Sequence, residues 1–219
     1  MQRKIQPEIL DKLPENHPDA LKNLRDLRVI NALMRSNHWF ASQLSRHLNA
    51  DDRILEIGAG EGRLGDFLLG RVVPREVPYT AVDRRAFANR RMNRIDWVHD
   101  DILKFANPGK YDIILTNLIL HQFTAAELSR IGRRIGRSAR VIIASEPSRR
   151  HLHLLQMKAG RLLGFNYVSR HDARVSIIAG FRGDELPRFL GLDPGSWTWS
   201  VSLTFFGAYR LVARRNPGR

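Results

Sequence analysis

The chain has 219 residues, 43% of them apolar and 26% charged, enough to bury an ordinary core without a disulfide or metal staple. It has no cysteine, which excludes disulfide frameworks, thiolate zinc sites, iron–sulfur clusters and cysteine nucleophiles. Its 36 basic against 22 acidic residues leave a formal charge of +14, a field that raises nucleic acid or an anionic small molecule as a partner.

From Arg130 onward 17 basic residues stand against 5 acidic ones. Arginine supplies most of this excess, and genome composition produces such a surface as readily as function does. No uncharged apolar run approaches the roughly 20 residues of a membrane span. The first 19 residues have no apolar core of signal-peptide type. The expectation is a cytoplasmic enzyme or binding domain with no membrane span; nothing in the residues speaks to oligomeric state.

After a polar, proline-containing start, Leu21, Leu24, Leu27, Ile30, Leu33 and Met34 recur at helical spacing over 19–35. A second helix is predicted over 38–48, burying Trp39, Phe40, Leu44 and Leu48, and 49–52 is a turn. Short apolar strands then alternate with helical patterns, as in a parallel sheet with helical crossovers. The strands fall at 53–57, 79–82, 96–98, 111–116 and 140–144. Helices are expected at 62–69, 86–92, 125–135, 152–163 and 183–190. Two last strands, 197–203 and 208–213, are joined too closely for a crossover and read as an antiparallel pair.

The sharpest local signal is Arg53-Ile-Leu-Glu56-Ile57-Gly58-Ala59-Gly60-Glu61-Gly62-Arg63. A strand runs into alternating glycines and then a helix, so the backbone is free to take positive φ and a ligand can approach the helix N-terminus. A dinucleotide fingerprint would need its third glycine at Arg63, and no Gly-Lys-Ser/Thr follows. Pyrophosphate binding and a Walker A loop are both disfavoured.

This segment resembles the first motif of the class I S-adenosylmethionine (SAM)-dependent methyltransferases, and the resemblance extends over about 50–215. It implies that Glu56, Gly58, Ala59, Gly60 and Gly62 form the SAM loop. Asp83, with its neighbour Arg84, matches the acidic position that grips the ribose hydroxyls, a carboxylate being a strong acceptor for a diol. Asp101 and Ile102 match the position beside the adenine, and Asn117 opens the fourth motif, near the methionine part of SAM. The implied fold is one methyltransferase domain over 1–219: an N-terminal helical cap over 1–50 and a Rossmann-like core over 51–215. The core would hold a seven-stranded, mainly parallel sheet with helices on both faces and an antiparallel strand at one edge.

The fourth motif reads Asn117-Leu118-Ile119-Leu120 and lacks the Pro-Pro-aromatic element of enzymes acting on base amino groups. Its Leu-His-Gln-Phe continuation is similar to small-molecule methyltransferases of quinone and polyketide biosynthesis. Asp26-Leu-Arg28-Val-Ile-Asn31, Arg149-Arg150 and His171-Asp172 with Ser176 resemble a bacterial group found with type III polyketide synthases. Members of that group are presumed to O-methylate phenolic or pyrone products. Glu146-Pro147 departs from the Asp-Leu expected of that group.

A phenolic acceptor would benefit from a base of near-neutral pKa. His121, just past the fourth strand, is the first candidate for catalysis. His171, on the segment before the closing strands, is a candidate substrate contact, as are Asn31 and Trp39 from the helical cap. Arg130, Arg133, Arg134 and Arg137 form one helical stripe. The basic C-terminal surface, this stripe included, keeps RNA methylation open as the alternative, although few aromatics interleave with the stripe. A non-catalytic binding protein of the same fold is the third reading.

Overall fold

The computed structural model describes residues 1–14, 16–85, 94–159 and 164–217. Two helices precede the sheet. In α1 (Pro18–Leu33) the His17 ring accepts the Asp19 N–H at 3.2 Å and proline occupies the first turn, where its missing N–H costs nothing. Arg35, in the left-handed region at φ 53°, turns the chain into α2 (Ser36–His47). There follow β1 (Ile54–Ile57), α3 (Arg63–Leu69), β2 (Tyr79–Asp83), β3 (Asp96–His99), β4 (Ile113–Asn117), α4 (Ala125–Ile135) and β5 (Val141–Pro147). The chain closes with α5 (His151–Ala159), α6 (Tyr167–Ala179), α7 (Glu185–Phe189), β6 (Trp197–Leu203) and β7 (Ala208–Arg215).

The seven strands form one sheet in the order β3-β2-β1-β4-β5-β7-β6. β1 to β5 pair in parallel, with Ile54 opposite both Tyr79 and Ile113, and β7 runs antiparallel to β5 and β6. The central strands are apolar on both faces because both are covered. Leu55, Ile57, Ile114 and Ile142 pack against α4 and α7; Ile54, Ile113, Leu115 and Ile143 pack against Phe40 and Leu44 of α2 and Leu64 and Leu68 of α3. The strand order reverses between β1 and β4, and the crevice at such a reversal is where open α/β sheets bind ligands.

The predicted strands and most helices are present with shifted ends. The helix expected at 86–92 lies outside the described residues, as does the last part of the one at 152–163. Three features depart from expectation. The antiparallel strand is not at the edge: β7 is inserted between β5 and β6, because the tight turn at its start lets β6 take the outer position. A whole helix, α6, stands where no element is predicted. Its buried face interleaves Ser169 and Asp172 with Val168, Val175 and Ala179, so it lacks a continuous apolar stripe.

The third departure is α1, whose buried residues are Ala20, Asn23 and Asp26, while Leu21 and Leu33 are exposed. Asp26 is fully buried and accepts the Asn166 N–H at 3.1 Å and the Ser169 hydroxyl at 2.7 Å, joining α1 to the start of α6. Leu24, Leu27 and Ile30 face a cavity instead of the core.

Candidate active site

The cavity, of about 1260 Å³, opens over the carboxyl ends of β1, β2 and β4 and is covered by α1, α6 and the N-terminal segment. Its floor is the turn after β1, where Gly58, Gly60 and Gly62 have φ of 72°, 55° and 79°. A side chain strains this backbone at any of the three. At Gly58 there is also no room, since a Cβ would stand 2.6 Å from the Ile119 side chain; at Gly60 nothing lies within 4 Å, and the backbone faces open space. Asp83 holds the turn, accepting the Gly60 N–H at 2.7 Å on one oxygen and the Arg85 N–H at 2.8 Å on the other.

Glu56 is buried below that turn and accepts the Tyr79 hydroxyl at 2.6 Å. Burial pushes its carboxyl up to about 7, against the opposing pull of the Tyr79 hydrogen bond and with help from the Asp83 charge. Asp101 accepts the Leu103 N–H at 2.9 Å, fixing the turn after β3, and buried Ile102 borders the cavity. Arg84 lines the same side, its carbonyl 2.6 Å from the His99 ring.

On the opposite side β4 ends in a strained turn. Leu118 is in the left-handed region at φ 57°, a conformation that costs an L-residue roughly 1–2 kcal/mol. It is held there by its N–H on the Ser145 carbonyl at 2.9 Å and by Glu146, which is fully buried. Glu146 accepts the successive N–H groups of Ile119, Leu120 and His121 at 3.1, 2.9 and 3.2 Å. The His121 ring donates to Glu146 from Nδ1 at 2.8 Å and to Glu8 from Nε2 at 3.3 Å. Burial by itself would lower the imidazole pKa; the two carboxylates outweigh it and raise it to about 9. His121 is therefore an imidazolium at neutral pH.

Glu8 belongs to an N-terminal strap laid across the cavity. Burial favours its neutral form, but hydrogen bonds from His121, Ser176 and Gln122 hold its pKa below the usual value. The next two N–H groups, of Ile9 and Leu10, donate to the two oxygens of Asp172 on α6 at 2.8 and 3.0 Å. Arg3 donates to the carbonyls of His121, Phe123 and Ala179 and stacks over Phe181. The Arg28 guanidinium meets Glu61 at 3.0 Å, joining α1 to the glycine turn.

No protein-family model matches the chain, and no curated protein matches it by sequence. Solved structures do match. The plantazolicin methyltransferase BpumL in complex with SAH superposes with a TM-score of 0.73 at 11% identity, over 95% of this chain and 93% of that one. The pyocyanin biosynthetic protein PhzM gives 0.61 at 18%, over 96% and 62%. The magnesium protoporphyrin IX methyltransferase ChlM from Synechocystis PCC 6803, with bound SAH, gives 0.56 at 16%, over 88% and 86%. The fold is that of the class I methyltransferases.

Within this methyltransferase fold, Glu56, Gly58, Ala59, Gly60, Asp83, Arg84, Asp101, Ile102 and Asn117 come together around the cavity, and Gly62 closes the turn. Asn31 meets Asn117, whose amide donates to it at 3.1 Å. Two expected substrate contacts lie elsewhere. Trp39 does not line the cavity: it packs on Phe40 and under the Arg210 guanidinium, because α2 turns that side toward β7. His171 is half-exposed and its ring Nδ1 donates to the Asp172 carboxylate at 2.9 Å; its neighbour Asp172 is the residue that reaches the cavity. His121 lines the cavity, yet both its nitrogens are engaged and its proton is held to about 9, so it has no free lone pair with which to act as a base.

Sequence reasoning missed Glu8 and treated Glu146 only as a departure. The usable signal was chemical: a carboxylate one residue before a proline at the end of a buried strand needs partners. The arginine stripe on α4 is not continuous either. Arg134 turns inward and donates to the carbonyls of Ile102 and Phe105, and Arg133 bonds Ser129.

Proposed function

We propose that this chain is a cytoplasmic SAM-dependent methyltransferase (EC 2.1.1.-) acting on a small molecule, at the oxygen of a phenolic or polyketide-like acceptor. The observation that carries the reading is the left-handed glycine turn tied to Asp83 at the floor of a cavity at the sheet's reversal point. The residues fit SAM. Gly60 leaves open space where a side chain would stand, and the buried Asn117 Oδ1 has no partner among the described residues and suits an amino group. Asp83 keeps further acceptor capacity for ribose hydroxyls. The volume exceeds the roughly 300–1,000 Å³ of single-ligand pockets, which leaves room for an acceptor beside the cofactor.

SAM supplies a sulfonium methyl when bound; the chain's task is to align an acceptor and favour its nucleophilic form. Leu24, Leu27, Ile30, Met157, Phe165 and Ile177 give the acceptor side apolar walls suited to an aromatic ring. A phenol has a pKa near 10 and must lose its proton as the oxygen–methyl bond forms. His121, with both ring nitrogens held by carboxylates, takes no proton. It fixes Glu8 at the cavity wall, where that carboxylate can accept a hydrogen bond from the hydroxyl and orient it, and the proton leaves to solvent. The apolar walls and the broken arginine stripe favour such an acceptor over RNA.

Calorimetry with S-adenosylhomocysteine (SAH) tests the cofactor half. The expected result is one site at micromolar affinity, weakened about tenfold to a hundredfold in Asp83→Ala, as for loss of hydrogen bonds to a charged group. No heat with SAM or SAH would overturn the reading. Labelled methyl from SAM should appear on phenolic extracts; labelling of one RNA position and of no small molecule would replace the acceptor.

A further inference from the structure

Apolar side chains left out of the core gather at one rim of the cavity. Phe205 and Phe206 form the turn between β6 and β7, are 69% and 49% exposed, and meet edge to face at 5.3 Å. Leu152 and Leu155, 44% and 61% exposed, stand on α5 beside them. Leu152 and Gln156 lie one turn apart on the same side of that helix. The Gln156 amide donates to the Phe205 carbonyl at 3.1 Å, so helix and turn form one surface. Phe205, Phe206 and Gln156 also line the cavity, which places this surface at its mouth. Leu203, 38% exposed, continues it to a recess shared with exposed Arg150. Isolated exposed leucines mean little, whereas a contiguous apolar patch marks a contact surface.

The charge near this rim is mainly basic. Exposed Arg150 borders the recess. The stretch between Glu146 and Asp172 holds five Lys or Arg and no acidic residue, of which Arg149 is taken up by Glu185, and the whole chain carries +14. A second copy of the chain would bring the same positive charge to itself. An anionic bilayer offers what both features need, an apolar layer beneath negative headgroups.

We propose that this rim is a docking surface for an anionic lipid bilayer. Phe205, Phe206, Leu152 and Leu155 enter the interfacial layer, Arg150 meets lipid phosphates, and the cavity mouth faces the membrane. No helix among the described residues is long and apolar enough to cross a membrane, so the contact is peripheral.

Co-sedimentation of the full chain with vesicles tests this without any methyl transfer, so its failure leaves the methyltransferase reading standing. Binding is expected to vesicles of equal parts phosphatidylcholine and phosphatidylglycerol, to be absent with phosphatidylcholine alone, and to fall in high salt. Leu152→Ser/Leu155→Ser, at positions outside the cavity lining, should weaken vesicle binding by about tenfold or more while SAH affinity is retained. Phe205→Ser/Phe206→Ser should weaken it similarly. No binding to either vesicle overturns the proposal. Binding by both double variants equal to that of the native chain also overturns it, because the overall charge then suffices. A dimer in sedimentation velocity that Leu152→Ser/Leu155→Ser dissolves would assign the rim to self-association instead.

Discussion

At the ends of β1 and β2 the groups that face the cavity are mostly backbone: Gly58, Gly60 and Gly62 in the left-handed region, with the Gly60 N–H on Asp83. Across the cavity the acceptor side is made of side chains from separate segments. Glu8 comes from the strap, His121 from the turn after β4, Glu146 from β5, and Asp172 and Ser176 from α6. The first side takes its shape from the backbone itself, so any added side chain strains it, and at Gly58 also clashes. The second is held by charge, and a conservative change there alters a pKa before it alters the fold.

The largest effects are expected in the glycine turn. Gly58→Ala places a Cβ at positive φ and 2.6 Å from Ile119, a combination of strain and overpacking costing roughly 2–5 kcal/mol. Gly60→Ala meets nothing within 4 Å and should cost only about 1–2 kcal/mol of stability. Its methyl nonetheless enters the cradle, so SAH binding should fall steeply. Thermal melts and calorimetry on the pair sharpen the comparison; equal loss of stability in both would show that room beside Ile119 is irrelevant.

An intermediate effect comes from Glu56. Its carboxyl titrates near 4.5 unfolded and at about 7 folded, so the folded state binds more protons between those values. Stability should therefore fall as pH rises from 4.5 through 7 and stay lower above. A tenfold change in an acid dissociation constant corresponds to about 1.4 kcal/mol. Glu56→Gln, which keeps an acceptor for Tyr79, should flatten this slope and make the protein roughly 1–3 kcal/mol more stable than the native chain at pH 8. His121 adds a second decline: its folded pKa of about 9 exceeds 6.5, so its contribution is complete below pH 6.5 and lost as pH rises through 9. Denaturant melts at pH 5, 7 and 10 separate the two.

The smallest effect on stability is expected from Glu8→Gln. Removing one of its two carboxylate partners should lower the His121 pKa from about 9, seen by NMR titration of the ring, and raise the acceptor KM. SAH affinity should change by less than about 0.5 kcal/mol, as for groups that share no partner. A fall as large as that of Asp83→Ala would break the division into two sides.

What was legible follows the reach of each interaction. Strands of continuous apolar residues, the glycine turn and Asp83 are readable because each depends on a few consecutive residues and on the parallel crossover rule. Helix α4 was readable for the same reason: its capping box of Thr124 and Glu127 and its apolar stripe lie within one segment. Helix α6 was not, because its buried face carries Ser169 and Asp172, whose partners Asp26, Ile9 and Leu10 lie more than 140 residues away. Trp39 looked like a pocket aromatic and Leu21 like a core residue, and only the orientation of α1 and α2 on the sheet decides otherwise.

By itself, then, the chain's order of residues determined a parallel sheet with helical crossovers, an antiparallel closing pair and the glycine cradle after the first strand, since hydrophobic periodicity and glycine conformation are local properties. The class I methyltransferase sheet was what the motif resemblance implied. Tertiary structure alone decided the protonation of His121. A histidine beside a glutamine and a phenylalanine is a base candidate on paper; enclosed between Glu8 and Glu146, 113 and 25 residues away, it becomes a fixed cation. The energy of a charge depends on burial and on what folding brings within hydrogen-bond reach.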